Sequence, residues 1–103
     1  MENKVIEYIN NDHLKYKIYD EFNKLKIHKK DLSYVKKDAE ILCYFDKNEV
    51  RQSIKSPIWG QILKINVDEP TNTIEIILEK CKHDMLYFNQ CSHCSFNTKF
   101  IVI

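Results

Sequence analysis

Apolar residues recur at alternate positions in short runs along most of this chain, and polar turns separate the runs. Alternation over four to eight residues predicts half-buried strands rather than helices. "EILCYF", residues 40–45, combines β-branched and aromatic side chains and is bounded by "DKNE". "VRQSIKS" follows, and then "SPIWG", where Pro57 and Gly60 punctuate the chain. "QILKINV" carries Ile62, with Leu63 beside it, then Ile65 and Val67. After the polar turn "DEPTNT", "IEIILEK" places Ile74, Ile76 and Leu78 on one face. Short strands at this spacing predict a mainly β fold, a small sandwich or barrel.

The start of the chain reads two ways. Val5, Ile6, Ile9 and Leu14 fit a short amphipathic helix or an irregular arm. "LKYKIYDEF", where Leu14, Tyr16 and Ile18 alternate with polar or aromatic positions, fits a first strand. The expected organisation is an arm over 1–24, a β domain over 25–80 and a Cys/His tail over 81–103. Within the β domain, "IHKKDLSYVKKDAEILCYF" and "INVDEPTNTIEIILEKC" share a plan of Ile, polar turn and long apolar strand. Two such halves can cover each other about a pseudo-two-fold axis.

Composition narrows the picture. The chain has 103 residues, 44% hydrophobic and 30% charged, enough for one small core. A net charge of +1 offers no field that would draw nucleic acid, so no direct nucleic-acid partner is expected. No apolar run reaches membrane-spanning length, and "MENKVIEYIN" lacks the apolar core of a secretory signal. An intracellular protein without a membrane partner is expected. There, closely spaced Cys and His bind metal more often than they form disulfides.

Three of the four cysteines lie in "CKHDMLYFNQCSHC", residues 81–94. Cys81-x-His83 and Cys91-x-x-Cys94 flank a seven-residue loop. The C-x-x-C turn aims two thiolates at one ion, and C-x-H at a strand end supplies two further donors. Three thiolates and one imidazole close a tetrahedral set, the preference of structural Zn²⁺. His93, inside the C-x-x-C, is the alternative fourth ligand to His83. Unligated thiols and a redox C-x-x-C are the competing readings; no βαβ context accompanies the motif. Cys43, inside "EILCYF", is expected as a buried core thiol. His13 and His28 lie in lysine-rich segments and are expected in solvent. Trp59 is expected in core or rim packing, with an exposed partner anchor as the alternative.

"DAEILCYF", "DKNE", "SPIWG" and "QILKINV", within residues 27–80, together resemble the biotinyl/lipoyl barrel-sandwich family. That resemblance implies a barrel-sandwich hybrid with the Cys/His tail appended as a zinc-knuckle-like element. It also makes Lys47, in "FDK", the candidate lipoyl or biotinyl lysine. A solvated turn lysine is the plain alternative.

The order "GQILKINV…IEIILEKCKHDMLYFNQCSHC" is more specific. It resembles the N-terminal region of the TFIIF-associating phosphatases of the RNA polymerase II C-terminal domain. Gly60, Ile62, Ile65, Leu78, Glu79, Cys81, His83, Cys91 and Cys94 fit that arrangement, with Ser95 where Gly is usual. The resemblance implies a nuclear, non-catalytic module that contacts RNA polymerase II or TFIIF subunits or positions a catalytic domain. The family's catalytic domain carries D-x-D-x-T and uses Mg²⁺ to dephosphorylate serines of the polymerase tail. No D-x-D-x-T occurs among these 103 residues. No catalytic residue is therefore expected here, and the apolar "NTKFIVI" finish is expected to continue into a longer chain. A carrier domain modified at Lys47 and a generic zinc-stabilised interaction module are the other function classes.

Overall fold

The computed structural model describes residues 3–82 and the backbone of 86–87 and 90–91. Its strands are β1 (Lys4–Tyr8), β2 (His13–Tyr19), β3 (Asn23–Ile27), β4 (Tyr34–Val35), β5 (Glu40–Phe45), β6 (Arg51–Lys55), β7 (Gly60–Asp68), β8 (Thr73–Lys80), β9 (Leu86–Tyr87) and β10 (Gln90–Cys91). They form a five-stranded sheet in the order β1-β2-β8-β7-β4, a three-stranded sheet β3-β5-β6 and the hairpin β9-β10. Every pairing is antiparallel. The fold is mainly β and built from two sheets, without closing into a barrel. Among the described residues no helix is long and apolar enough to cross a membrane.

The core follows from alternation. Ile74, Ile76 and Leu78 of β8 are fully buried, and the residues between them are only half-buried. Their cross-strand partners on β2 are Ile18, Tyr16 and Leu14. On β7 the partners are Val67, Ile65 and Ile62. Ile62 and Ile65 are three residues apart yet face the same way, because a bulge between Ile62 and Lys64 shifts the register. Val35, Ile41, Leu42, Tyr44 and Ile54 complete the buried cluster.

The N-terminal segment differs from the helical expectation. Lys4–Tyr8 is a strand, paired with β2 from Lys4↔Ile18 to Tyr8↔Leu14. β2 in turn pairs with β8 over seven residues, so residues before 25 belong to the same sheet as β7 and β8. The physical reason is the partner: the alternation of Leu14, Tyr16 and Ile18 gains a buried face only against β8, which an isolated helix of this length could not match.

The two halves with a common plan both close antiparallel pairs. In one, Ile27 stands opposite Leu42; in the other, Val67 stands opposite Ile74. The longer first connection carries β4, which crosses to pair with β7. Among the described residues with a left-handed backbone, Asp38 (φ 69°) and Asn72 (φ 53°) are of types that tolerate it better than most, whereas Lys24, Leu32 and Glu49 are not. Pro70 presets the β7–β8 turn, closed by the Asn72 N–H donating to the Glu69 carbonyl at 3.1 Å.

Gly60 is the only glycine. It opens β7 between Lys80 of β8 and Val35 of β4. A Cβ there would overlap the Glu79 carbonyl oxygen, so the close strand approach requires glycine. Ser56, fully buried, leads into that crossing. Its hydroxyl donates to the Ile58 carbonyl at 2.7 Å, and its backbone is stitched to Asp38 and Ala39.

Candidate functional site

The end of β8 is anchored on both sides. The Lys80 N–H donates to the Asp12 carbonyl at 2.6 Å, and the Cys81 N–H to the Trp59 carbonyl at 2.9 Å. Cys81 is buried, 9% exposed, so the first residue of the Cys/His motif is fixed at the rim of the large sheet. Trp59 is half-buried, as rim packing would have it. Cys91 lies on β10, its backbone paired with Leu86 of β9. His83 and Cys94, and with them the geometry of the four-ligand set, lie outside the described residues, as does the alternative ligand His93.

Beside Cys81 stands a second histidine motif. His13, at the start of β2, is opposite Glu79 in the register. Its Nε2 lies 2.8 Å from Glu79 Oε2, and its Nδ1 lies 2.9 Å from Asn10 Oδ1. The Asn10 amide oxygen also accepts the backbone N–H groups of Asp12 and His13, which closes the β1–β2 turn. The expectation of a solvated His13 is therefore corrected: the ring is two-thirds covered and engaged at both nitrogens.

Lys47 sits in the connection between β5 and β6, exposed at its tip. Asp46 organises that connection. Its Oδ1 accepts the N–H groups of Asn48 (2.9 Å) and Val50 (3.0 Å), and its Oδ2 accepts Gln52 Nε2 at 3.0 Å. The Val50, Asn48 and Gln52 donors, in that order of backbone and side-chain effect, hold the Asp46 carboxyl below its ordinary value. Lys47 thus projects from a defined hairpin five residues long, and borders an open polar cleft with Tyr19, Asp20, Glu21, Thr71 and Asn72.

The outer face of the three-stranded sheet carries a constellation that sequence reasoning missed. A bulge lies between Glu40 and Leu42, so Ile41 and Leu42 both enter the core. Glu40 and Cys43 then share the opposite face. The His28 N–H donates to the Ile41 carbonyl at 2.8 Å, which sets His28 across from the bulge. His28 Nε2 lies 2.8 Å from Glu40 Oε2. Arg51 Nη2 donates to both Glu40 oxygens, at 2.8 and 2.9 Å. The Ser53 side chain and then Arg51 hold the Glu40 carboxyl below the usual range. Cys43 lies near enough to Arg51 to interact with it electrostatically. One ligand atom each of His28, Glu40 and Cys43 lies within 4.8 Å of the others, a group that could hold a metal ion.

One expectation changes here. His28 is at the surface, but its side chain is engaged with Glu40 and only 28% exposed. Cys43 is buried, at 7%, as expected of a core thiol, beside the packed cluster rather than within it. A strict period of two through "EILCYF" sets Glu40 and Cys43 on opposite faces; only the bulge reverses that.

No known family model, curated protein or solved structure matches this chain.

Proposed function

We propose that this chain is a non-catalytic module related to the N-terminal region of the TFIIF-associating phosphatases of the RNA polymerase II C-terminal domain. It contacts RNA polymerase II or TFIIF subunits in the nucleus, or positions a catalytic domain lying outside these residues. The observation that carries the reading is the anchored end of β8. "IEIILEK" runs as a strand into Cys81, which is buried and held by Trp59, and C-x-H and C-x-x-C follow in sequence. A structural Zn²⁺ held by Cys81, His83, Cys91 and Cys94 staples that tail to the sheet. Mg²⁺ belongs to the catalytic domain alone. The barrel-sandwich identity is supported by the two related strand pairs, β3–β5 and β7–β8.

Zinc content and partner binding test the reading together. The purified chain is expected to hold zinc that Cys91→Ser or Cys94→Ser releases, and to bind a TFIIF subunit or polymerase in isothermal titration. Zinc without either partner leaves the generic interaction module. Neither zinc nor partner overturns the proposal.

The exposed, Asp46-braced tip supports a second reading, a carrier domain modified at Lys47. The intact mass of the native protein decides it: a lipoyl or biotinyl adduct on Lys47 supports the carrier, and an unmodified mass excludes it.

A further inference from the structure

We propose that His28, Glu40 and Cys43 form a second Zn²⁺ site, on the outer face of the three-stranded sheet and independent of the Cys81 tail. Glu40 and Cys43 lie on β5 and His28 just past the end of its neighbour β3, and Glu40 and Cys43 share one face only because of the bulge at Ile41. Bulges recur where a strand must re-aim a side chain toward a site. This one sets a carboxylate and a thiol on one face with an imidazole between strands.

The distances fit an ion with small adjustment. Zinc bonds of about 2.0–2.3 Å in tetrahedral geometry set neighbouring donors about 3.3–3.7 Å apart. His28 Nε2 and Glu40 Oε2, now at 2.8 Å, open by less than an ångström, and Cys43 Sγ, within 4.8 Å of one ligand atom of each, closes by up to about 1.5 Å.

The donor chemistry selects the ion. Imidazole, thiolate and one carboxylate oxygen suit Zn²⁺, whereas Mg²⁺ and Ca²⁺ require oxygen sets. Charge argues the same way. Arg51 and Lys26, the cross-strand partner of Cys43, both border this face. An ion held there must gain from sulfur and nitrogen bonding rather than from a negative field. Arg51 and Ser53 then act as outer donors. Arg51 stays on Glu40 Oε1 and offsets the charge of the nearby thiolate while Oε2 turns to the metal, the support that ligating carboxylates and thiolates ordinarily receive. Cys43 releases its thiol proton to solvent as the Sγ–Zn bond forms. Three protein ligands leave the fourth position to an exogenous donor.

Zinc stoichiometry of the full chain tests the site, measured after dialysis against micromolar Zn²⁺. The chain with both Cys91→Ser and Cys94→Ser is expected to retain one zinc ion. Adding His28→Gln is expected to remove it while the β-sheet circular dichroism is unchanged. In the otherwise native chain, His28→Gln is expected to lower the zinc content by one ion, and Cys43→Ser likewise. His28 is at the surface, so its variant serves even where Cys43→Ser fails to fold. A native content that His28→Gln leaves unchanged overturns the proposal. Failure of the tail's zinc is read separately, as a content that Cys91→Ser leaves unchanged.

Discussion

The hydroxyl of Tyr44 donates a 2.8 Å hydrogen bond to Asp20 Oδ2. Tyr44 is fully buried on β5, in the small sheet, while Asp20 closes β2 in the large one. The bond therefore ties the two sheets at one end of the core. Phe22 packs edge-on against the Tyr44 ring, with centroids 6.3 Å apart. Burial first, and then the Asp20 carboxylate, push the Tyr44 hydroxyl far above its ordinary value, so it stays a donor. Tyr44→Phe removes the bond and leaves Asp20 with the Asn3 amide, 3.1 Å away. The expected cost is about 1–2 kcal/mol in urea unfolding. Combining it with Asp20→Asn is expected to cost less than the two single losses added. Full additivity would show that the pair does not couple the sheets.

Gly60→Ala is expected to be the most damaging single methyl that can be added to the large sheet. The new Cβ would meet the Glu79 backbone carbonyl, which β-sheet pairing holds in place, and the Ile58 side chain at 3.0 Å. Relief requires β7 and β8 to separate at the end that anchors Cys81. A destabilisation of about 2–3 kcal/mol follows, a fall in Tm of roughly 10–20 °C for a domain this size. A shift within a degree or two would show that the strands part freely there.

The strands of this fold are largely legible in the sequence, and their irregularities are not. "EILCYF", "QILKINV" and "IEIILEK" announce themselves because β-branched and aromatic residues cluster between polar turns. Leu14, Tyr16 and Ile18 likewise show their alternation, but Val5, Ile6 and Ile9 fit a helical spacing equally well. What decides for a strand is the β2 edge, a partner no local pattern reveals. The bulges at Ile41 and near Leu63 are equally silent, since inserting one residue changes facing without changing composition. That is why Glu40 and Cys43 read as strangers, and why His28 reads as solvent-borne. Its ring finds Glu40 only through the β3–β5 register. The Cys/His tail is the opposite case: its chemistry is plain from spacing alone, and the structure adds the fixed position of Cys81.

Leu32 holds a left-handed backbone at φ 70° with its side chain 64% exposed. A branched apolar residue gains nothing there, and the conformation costs it on the order of 1 kcal/mol. Its backbone matters: the N–H donates to the Ile62 carbonyl at 2.6 Å, and its carbonyl accepts Gln61 Nε2 at 3.0 Å. Leu32→Asn keeps both bonds, tolerates the conformation and avoids the added chain freedom of glycine. A stabilisation of about 0.5–1 kcal/mol is expected, read as a higher urea midpoint with an unchanged slope. A lower midpoint would mean the Leu32 side chain contributes packing that outweighs the backbone cost.

Asp46 predicts an acid limit for the hairpin that presents Lys47. Its folded carboxyl binds a proton less tightly than the same group in the unfolded chain, because Val50, Asn48 and Gln52 donate to the charged form. The unfolded state therefore takes up the proton first as pH falls. The contribution is complete above the ordinary carboxyl value of 3.8 and is lost as acid titrates the folded group. Asp46→Asn keeps an acceptor for the backbone N–H groups but has no proton to gain. Stability measured from neutral pH down to about pH 2 should thus fall more steeply for the native chain than for the variant. Asp46→Ala removes the acceptor altogether, and is expected to speed hydrogen exchange at the Asn48 and Val50 amides at every pH. Equal acid slopes for native and Asp46→Asn chains would mean that the loop, and the lysine at its tip, are held by its backbone bonds, Asp46 N–H to the Val50 carbonyl and Glu49 N–H to the Asp46 carbonyl.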